Sequence, residues 1–314
     1  MNYPETALMI VQLAALVLIS PLMTGIIRKI KARMQNKVGA DILQPYRDLR
    51  KLLKKESVVS ENASFFFRLV PYISMTAMLL LAAMTPFVYG GVIAPYSDVI
   101  AMVYIFTIFR FAMIIGGLEG GSAFGGMGSS REVMMSVLIE PALLISIMTL
   151  AAMTGAGFDI TDISGSINSA GAVAISPALL LAGAAFVITM VAENTRVPFD
   201  NPETHLELTM VHEGMLIEYS GRGLAMMEMA SMLRLTIFMA LLGTVFFPWG
   251  TAMTMSVADL ALSAGMIMAK LLVIAFGIAL LESTVAKMRV FRMPNMLTAS
   301  FALSLMAMIS LYVL

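Results

Sequence analysis

The chain has no cysteine among its 314 residues. That absence excludes a disulfide, a thiolate zinc site, a cysteine nucleophile and an iron–sulfur cluster held by this chain. Histidine is almost missing too. His205 and His212 are the only two and lie in one stretch, which argues against paired haem ligands inside a membrane. Charge is the third scarcity: 20 Lys and Arg with 20 Asp and Glu make 13% of the chain, against about 25% in a soluble domain. So few charges cannot coat a soluble fold of this size, and they form no basic surface for nucleic acid. What is present is apolar, 59% of all residues. The composition predicts an all-α integral membrane protein forming a single polytopic domain over 1–314.

Eight apolar stretches can cross a hydrocarbon core of about 30 Å. They lie near 7–27, 69–89, 97–117, 133–155, 173–192, 226–248, 260–281 and 294–314. Barrel strands are excluded, because those alternate over only about ten residues. With the N-terminus outside, the inner segments are about 28–68, 118–132, 193–225 and 282–293. They carry every Lys and Arg except Arg110, Arg234 and Lys270, which fall within spans. The outer segments hold only Glu5, Asp98, Asp159, Asp162 and Asp259. The positive-inside rule therefore predicts a multi-pass protein of the cell inner membrane with both termini outside. No cation precedes the first span, so it does not read as a cleaved signal peptide.

Four features bear on chemistry. In the first inner segment, Ile42, Tyr46, Leu49 and Leu53 recur at helical spacing, with Arg47, Arg50, Lys51 and Lys54 opposite. That pattern predicts an amphipathic helix in the headgroup region. Lipid attraction is one use of it. Docking of a peripheral subunit on Arg33, Lys37, Gln44, Tyr46, Arg47, Asp48, Arg50 and Lys51 is the other. The Gly-rich segment Gly116–Gly128 lacks a Gly-Lys-Ser/Thr ending and is no phosphate loop. Its glycines suit close backbone approach, and Glu119 sits among them.

The segment from Glu193 to Gly221 is the most distinctive. Asn201-Pro202 can open a helix and Ser220-Gly221 can close it. On that helix Glu203, Glu207 and Glu218 fall within about 60° of one another. His205 and His212 share the opposite side, and Asp200 stands just before. His212-Glu213 lacks the second histidine that a zinc helix needs at 216. Clustered carboxylates including Glu193, Glu213 and Glu218 raise one another's pKa and can hold protons near neutrality. A solvated acidic loop for a basic partner is the plainer alternative.

Inside the spans, Arg110, Glu140, Glu228, Arg234, Lys270 and Glu282 are costly and default to functional roles. Glu140 is expected about 10 Å from the inner end of its helix. All six fall at mid-depth or on the inner side, which predicts a polar pocket opening inward. Isolated ion pairs, such as Glu140 with an arginine, would also account for them. The 31 methionines read as flexible apolar filler.

Glu193-Asn194-Thr195-Arg196-Val197-Pro198-Phe199-Asp200 and Glu218-Tyr219-Ser220-Gly221 carry a family resemblance. So do Arg110, Ser129-Ser130-Arg131-Glu132, Gln44, Asp48, Lys51-Leu52 and Lys55-Glu56. The chain resembles the eight-helix membrane subunit shared by respiratory complex I (its subunit 1, or H) and the membrane-bound group 4 nickel–iron hydrogenases. Asp200–Glu213 is similar to the hydrogenase-type, formate-hydrogenlyase-like branch. Thr209-Met210-Val211-His212 stands where quinone-reducing relatives carry Val-Ala-Gly-Phe.

The resemblance implies a subunit without cofactors that clamps a peripheral redox arm to a membrane arm. Iron–sulfur clusters and a nickel–iron site would sit in peripheral hydrogenase-like partners, with antiporter-like subunits alongside in the bilayer. Glu193, Arg196, Asp200, Glu203, Glu207, Glu213 and Glu218 would form the junction loop. Glu119 and Glu140 would begin a lateral proton path. Glu193, Glu203, Glu207, Glu213, Glu218, Glu228, Lys270 and Glu282 are the further candidates for it, with Arg110, Arg131, Arg196 and Arg234 as charge partners. A quinone-chamber subunit, a stand-alone transporter and a purely structural anchor are the competing readings. The transporter would need inverted repeats and paired broken helices, and neither is visible.

Overall fold

Helices form wherever long apolar runs leave no water to satisfy backbone amides, since only internal hydrogen bonding then serves. In the computed structural model, residues 3–59, 63–90, 97–171, 176–200, 211–252, 255–289 and 292–313 are described. Among them the elements run α1 (Tyr3–Met34), α2 (Gln44–Lys54), α3 (Phe65–Met84), α4 (Val99–Glu119), α5 (Ala123–Thr154), α6 (Ile160–Ala170), α7 (Pro177–Glu193), α8 (His212–Leu216), α9 (Gly221–Leu241), α10 (Val257–Thr284) and α11 (Met293–Val313). A π-helical turn, Leu242–Phe246, prolongs α9. The described residues form no strand, only two isolated bridges. Among the described residues seven helices have the length and apolarity to cross a membrane, and α7, with 17 residues, is a shorter apolar helix.

The helix starts are written in the sequence. Ser64, Asp98, Ser122, Ser176 and Ser256 each accept a backbone N–H of the first turn, and Pro177 follows its cap at the first helical position. α9 is the central helix, with 89% of its most apolar window buried against 28% for α10 and 22% for α11. α1, α3, α7 and α10 all touch it, and α4, α5, α7 and α11 pack together beside it. Phe106 stacks on Phe238 at 4.5 Å between centroids, and Phe186 meets Phe246 at 4.9 Å. The outer faces of α3, α4, α10 and α11 expose Phe66, Ile108, Val273 and Ile309, as lipid-facing surfaces do.

Three expectations change. The span expected at 133–155 begins ten residues earlier, because Ser122 caps α5; residues 123–132 are therefore helix, not loop. At 1.5 Å per residue Glu140 then lies roughly 25 Å from the start of α5, at mid-bundle rather than near an end. Second, Ser220-Gly221 does not close a helix. α8 stops at Leu216, and Ser220-Gly221 opens α9 with Gly221 at φ 53°. A Cβ at Gly221 would fall 2.4 Å from the Glu56 carbonyl oxygen, so only glycine fits. Third, α6 forms in a segment expected to be an outer loop. It buries Ile160, Ile163 and Ile167 on one face.

α2 bears out the amphipathic reading. Pro45 is at its start, Lys51 and Lys54 are in its last turn, and it packs on α9 and α1. The Tyr46 hydroxyl donates to the Leu18 carbonyl of α1, and burial pushes its phenol pKa up.

Candidate functional site

Helix α8 and the parts of α1, α9 and α10 beside it enclose a small polar cavity of about 110 Å³. Thr24 and Arg28 of α1, Asn194–Arg196 and Asp200 after α7, His212 and Glu213 of α8, Glu228 of α9 and Glu282 of α10 line it. The chain after α7 holds Thr195 at φ 47°, an uncommon value for a β-branched residue, and Phe199 N donates to Arg196 O. This tight hook carries Arg196 and Asp200 back under the helices. Asp200 Oδ1 accepts from Lys287 Nζ at 2.5 Å, and Asp200 Oδ2 accepts from Val211 N at 3.1 Å. One carboxylate thus ties the α7 exit, the start of α8 and the segment after α10. Glu282 is clamped likewise, by Arg196 at 3.1 Å and Lys31 at 3.2 Å.

Deeper in the bundle lies a second group. Arg110 of α4 meets Glu132 at 3.4 Å, Glu140 at 2.7 Å and Glu193 of α7 in one buried cluster, and Arg234 approaches Glu193 at 3.8 Å. Arg110, Glu132, Glu193 and Arg234 are each buried to 3% exposure or less, whereas the Glu140 side chain is 34% exposed. Phe109 covers Arg234, its ring centroid 5.0 Å from the guanidinium carbon. Arg234 Nε and Nη2 and Glu132 Oε2 have no hydrogen-bond partner among the described residues. Buried polar atoms of this kind are places for ordered water.

His212 connects the two groups. It is buried, and burial followed by the nearby Arg234 charge pushes its pKa down to about 3, so the ring is neutral at ordinary pH. Its Nε2 has no partner among the described residues. The file therefore runs from the cavity (Glu213, Glu228, Glu282) past His212 and Arg234 to Glu193, Arg110, Glu132 and Glu140. Charged groups alternate in sign along most of it, so a proton or cation entering at one carboxylate alters the field at the next.

Several expected residues fall elsewhere. Glu203, His205 and Glu207 lie outside the described residues. Asp200 and His212, expected on a docking face, are buried inside the chain. Glu119 ends α4 near Tyr219, and Glu218 packs against the following Gly120. Burial, then the Glu119 charge, pushes the Tyr219 phenol well up, and its hydroxyl donates to Phe67 O at 3.2 Å. Lys270 stands apart from the acidic file: its Nζ donates to the carbonyls of Gly243, in the π turn, at 3.1 Å and of Phe247, just after it, at 2.6 Å. Arg131 lies on α5 one residue before Glu132, and Gln44 donates to Asp48 at 2.8 Å on α2. Arg33, Lys37, Arg47, Arg50 and Lys51 are exposed, as docking residues would be.

Two central members escaped the residue-by-residue reading. By local pattern Glu132 falls in an inner loop and Lys31 among the cations that set topology. The signal for Glu132 was available: Ser122 is a helix cap, and position 132 then falls two turns before Glu140 on one face, a spacing that brings both to Arg110.

Closely packed apolar helices around a buried acid–arginine file, with a small polar cavity at one end, define a polytopic membrane protein with charge in its interior. The NADH dehydrogenase family profile matches residues 6–313, and the chain belongs to that family. It is 35% identical over 305 residues to formate hydrogenlyase subunit 4 of Escherichia coli K12, covering 96% of this chain and 97% of that protein. Hydrogenase-4 component C of the same organism is 34% identical, covering 94% and 92%. NADH-ubiquinone oxidoreductase chain 1 of Triticum aestivum is 30% identical over 67% of each chain. In fold, a chain of the membrane-bound sulfane sulfur reductase, an archaeal respiratory membrane complex, superposes with a TM-score of 0.81 at 19% identity. It covers 98% of this chain and 99% of that one.

Proposed function

We propose that this chain is the membrane junction subunit of a multi-subunit respiratory-type oxidoreductase, of the membrane-bound hydrogenase kind. It anchors a peripheral redox arm at the α2/α8 face and couples electron transfer to proton or sodium translocation through its buried glutamates. The observation that carries this reading is the acid–arginine file running from the α8 cavity to Glu140 at mid-bundle. The near full-length likeness to formate hydrogenlyase and hydrogenase-4 subunits supports the hydrogenase assignment.

On this reading the electron carriers, iron–sulfur clusters and a nickel–iron site, belong to peripheral partner subunits, and antiporter-like subunits adjoin in the bilayer. The basic face of α2 lies at the cytoplasmic side of the inner membrane, with both termini outside. Charge entering at the cavity carboxylates alters the field at Glu193, Glu132 and Glu140, because Arg234 and Arg110 stand between these acids in a low-dielectric interior.

A quinone-chamber role is the competing reading, favoured by the likeness to NADH-ubiquinone oxidoreductase chain 1. The cavity at the acid–arginine file, about 110 Å³, suits water and ions, whereas ring ligands take pockets of about 300–1,000 Å³. The hollow of about 580 Å³ beside Tyr219 is large enough for one but is lined by four cations and touches none of the file's residues. The purified complex should evolve or consume hydrogen and leave a quinone analogue unreduced; quinone reduction without hydrogen turnover would refute the assignment. Glu213→Gln in that complex should lower ion translocation while hydrogen turnover persists.

A further inference from the structure

We propose that the basic hollow between residues 54–59 and the start of α9 binds the anionic headgroup of a diacyl phospholipid, with an acyl chain lying along α3 and α4. The hollow measures about 580 Å³ and is the larger of the two at this end of the bundle. Lys54, Lys55, Arg68 and Arg222 line it, with Glu56 as the one acid. No ion pair among the described residues neutralises any of these four cations. They stand at matching height: Lys54 closes the interfacial helix α2, Arg68 is in the first turn of α3, and Arg222 is the second residue of α9. That is the level at which headgroup phosphates lie beside an interfacial helix.

The hollow is built rather than incidental. Val58 N donates to Ser220 Oγ and Ser220 Oγ donates to Val58 O, both at 2.8 Å, while Arg222 N donates to Ser57 Oγ at 3.1 Å. These bonds fix the segment after α2 against α9, so the cations are held together before any ligand arrives. The stacked pair Phe67 and Tyr219, 4.1 Å between centroids, forms part of the wall.

The second observation is an apolar groove of about 300 Å³ continuous with the hollow through Tyr72, which lines both. Ile73, Thr76 and Leu80 of α3 and Ile105 and Ile108 of α4 complete it. From Tyr72 to Leu80 it runs roughly 12 Å along α3, away from the cations and into the hydrocarbon level. A soluble protein partner could satisfy the cations but would not reach the groove. A free phosphate would leave it unused. An anionic diacyl lipid fills both.

The test uses the intact complex reconstituted in phosphatidylcholine nanodiscs doped with phosphatidylglycerol, with lipid retained through detergent extraction counted by mass spectrometry. Each surface cation is worth roughly fivefold in anionic-lipid affinity, so Arg68→Gln with Arg222→Gln should lower phosphatidylglycerol retention on the order of twentyfold. Phosphatidylcholine retention should be unchanged, and Arg68→Lys should stay near wild type. Thr76→Phe, which fills the groove and leaves every cation in place, should lower retention as well. If the double variant does not assemble, Thr76→Phe carries the test alone. Unchanged retention in Thr76→Phe overturns the proposal. So does competition by soluble glycerol phosphate equal to that of the diacyl lipid, which would mark a phosphate site only. Release of the peripheral arm from the double variant with lipid content unaltered would make the hollow a protein-docking surface and overturn it equally.

Discussion

At the α2/α8 end of the bundle and on to its middle, helices are joined by ion pairs; at the α6 end they are joined by apolar faces and hydroxyl-to-carbonyl bonds. Arg110 alone gathers Glu132, Glu140 and Glu193 from two other helices. At the α6 end, Ser164 Oγ donates to Thr244 O at 2.7 Å, Ser263 Oγ to Val88 O at 2.7 Å, and Ile160, Ile163 and Ile167 fill the interface. Ile160, Ile163 and Ile167 are as deeply buried as Arg110 and Glu193, so burial alone does not require charge. Well-packed apolar side chains generally match or exceed a buried ion pair in stability. The charges are therefore explained better by what they do than by what they hold.

Substitutions at the two ends should separate these roles. The largest effect is expected for Arg110→Leu, which removes the guanidinium from two buried carboxylates, Glu132 and Glu193, and from the partly exposed Glu140. Loss of one buried partner costs about 3–5 kcal/mol, enough to abolish assembly, read as subunit recovery in the purified complex. Lys270→Met comes next. It frees the Gly243 and Phe247 carbonyls at the π turn and should cost about 1–3 kcal/mol in thermal unfolding, with the acid–arginine file unaffected.

His212 adds a pH signature to the charged end alone. Its folded pKa, about 3, lies below the ordinary 6.5, so the unfolded chain binds the extra proton between those values. Its contribution to stability is full above pH 6.5 and falls as pH drops toward 3. Thermal unfolding midpoints should decline over that window in wild type, and His212→Phe should flatten the part of the decline that its protonation causes. Ser164→Ala, at the α6 end, should cost only about 1 kcal/mol and leave ion translocation at the wild-type level.

Much of this architecture is legible in the residues. Membrane spans follow from hydropathy, and the α2 helix follows from Ile42, Tyr46, Leu49 and Leu53, because both signals are local. Ion-pair partnership is not local. Arg110 and Glu193 are far apart in the chain, and only the packing of α4 against α5 and of α5 against α7 brings them together. The start of α5 is an instructive miss: Gly-rich residues 123–128 suggest a loop, yet their missing side chains let α5 lie against the start of α8. A Cβ on Gly128 would approach the Val211 carbonyl oxygen to 2.6 Å. α6 is the converse. Three isoleucines at positions i, i+3 and i+7 mark a half-buried helix too short to register as a span.

Glu193, the carboxylate between Arg110 and Arg234, is the decisive residue for the proposed coupling. Glu193→Gln preserves its shape and removes its charge and its capacity to take up a proton. With the complex sealed in proteoliposomes, ions translocated per electron should fall at least about tenfold, in line with an energetic coupling of about 1.4 kcal/mol or more, while electron transfer continues. An unchanged ion-to-electron ratio in an assembled, active variant would contradict the account and reduce the buried file to a structural anchor.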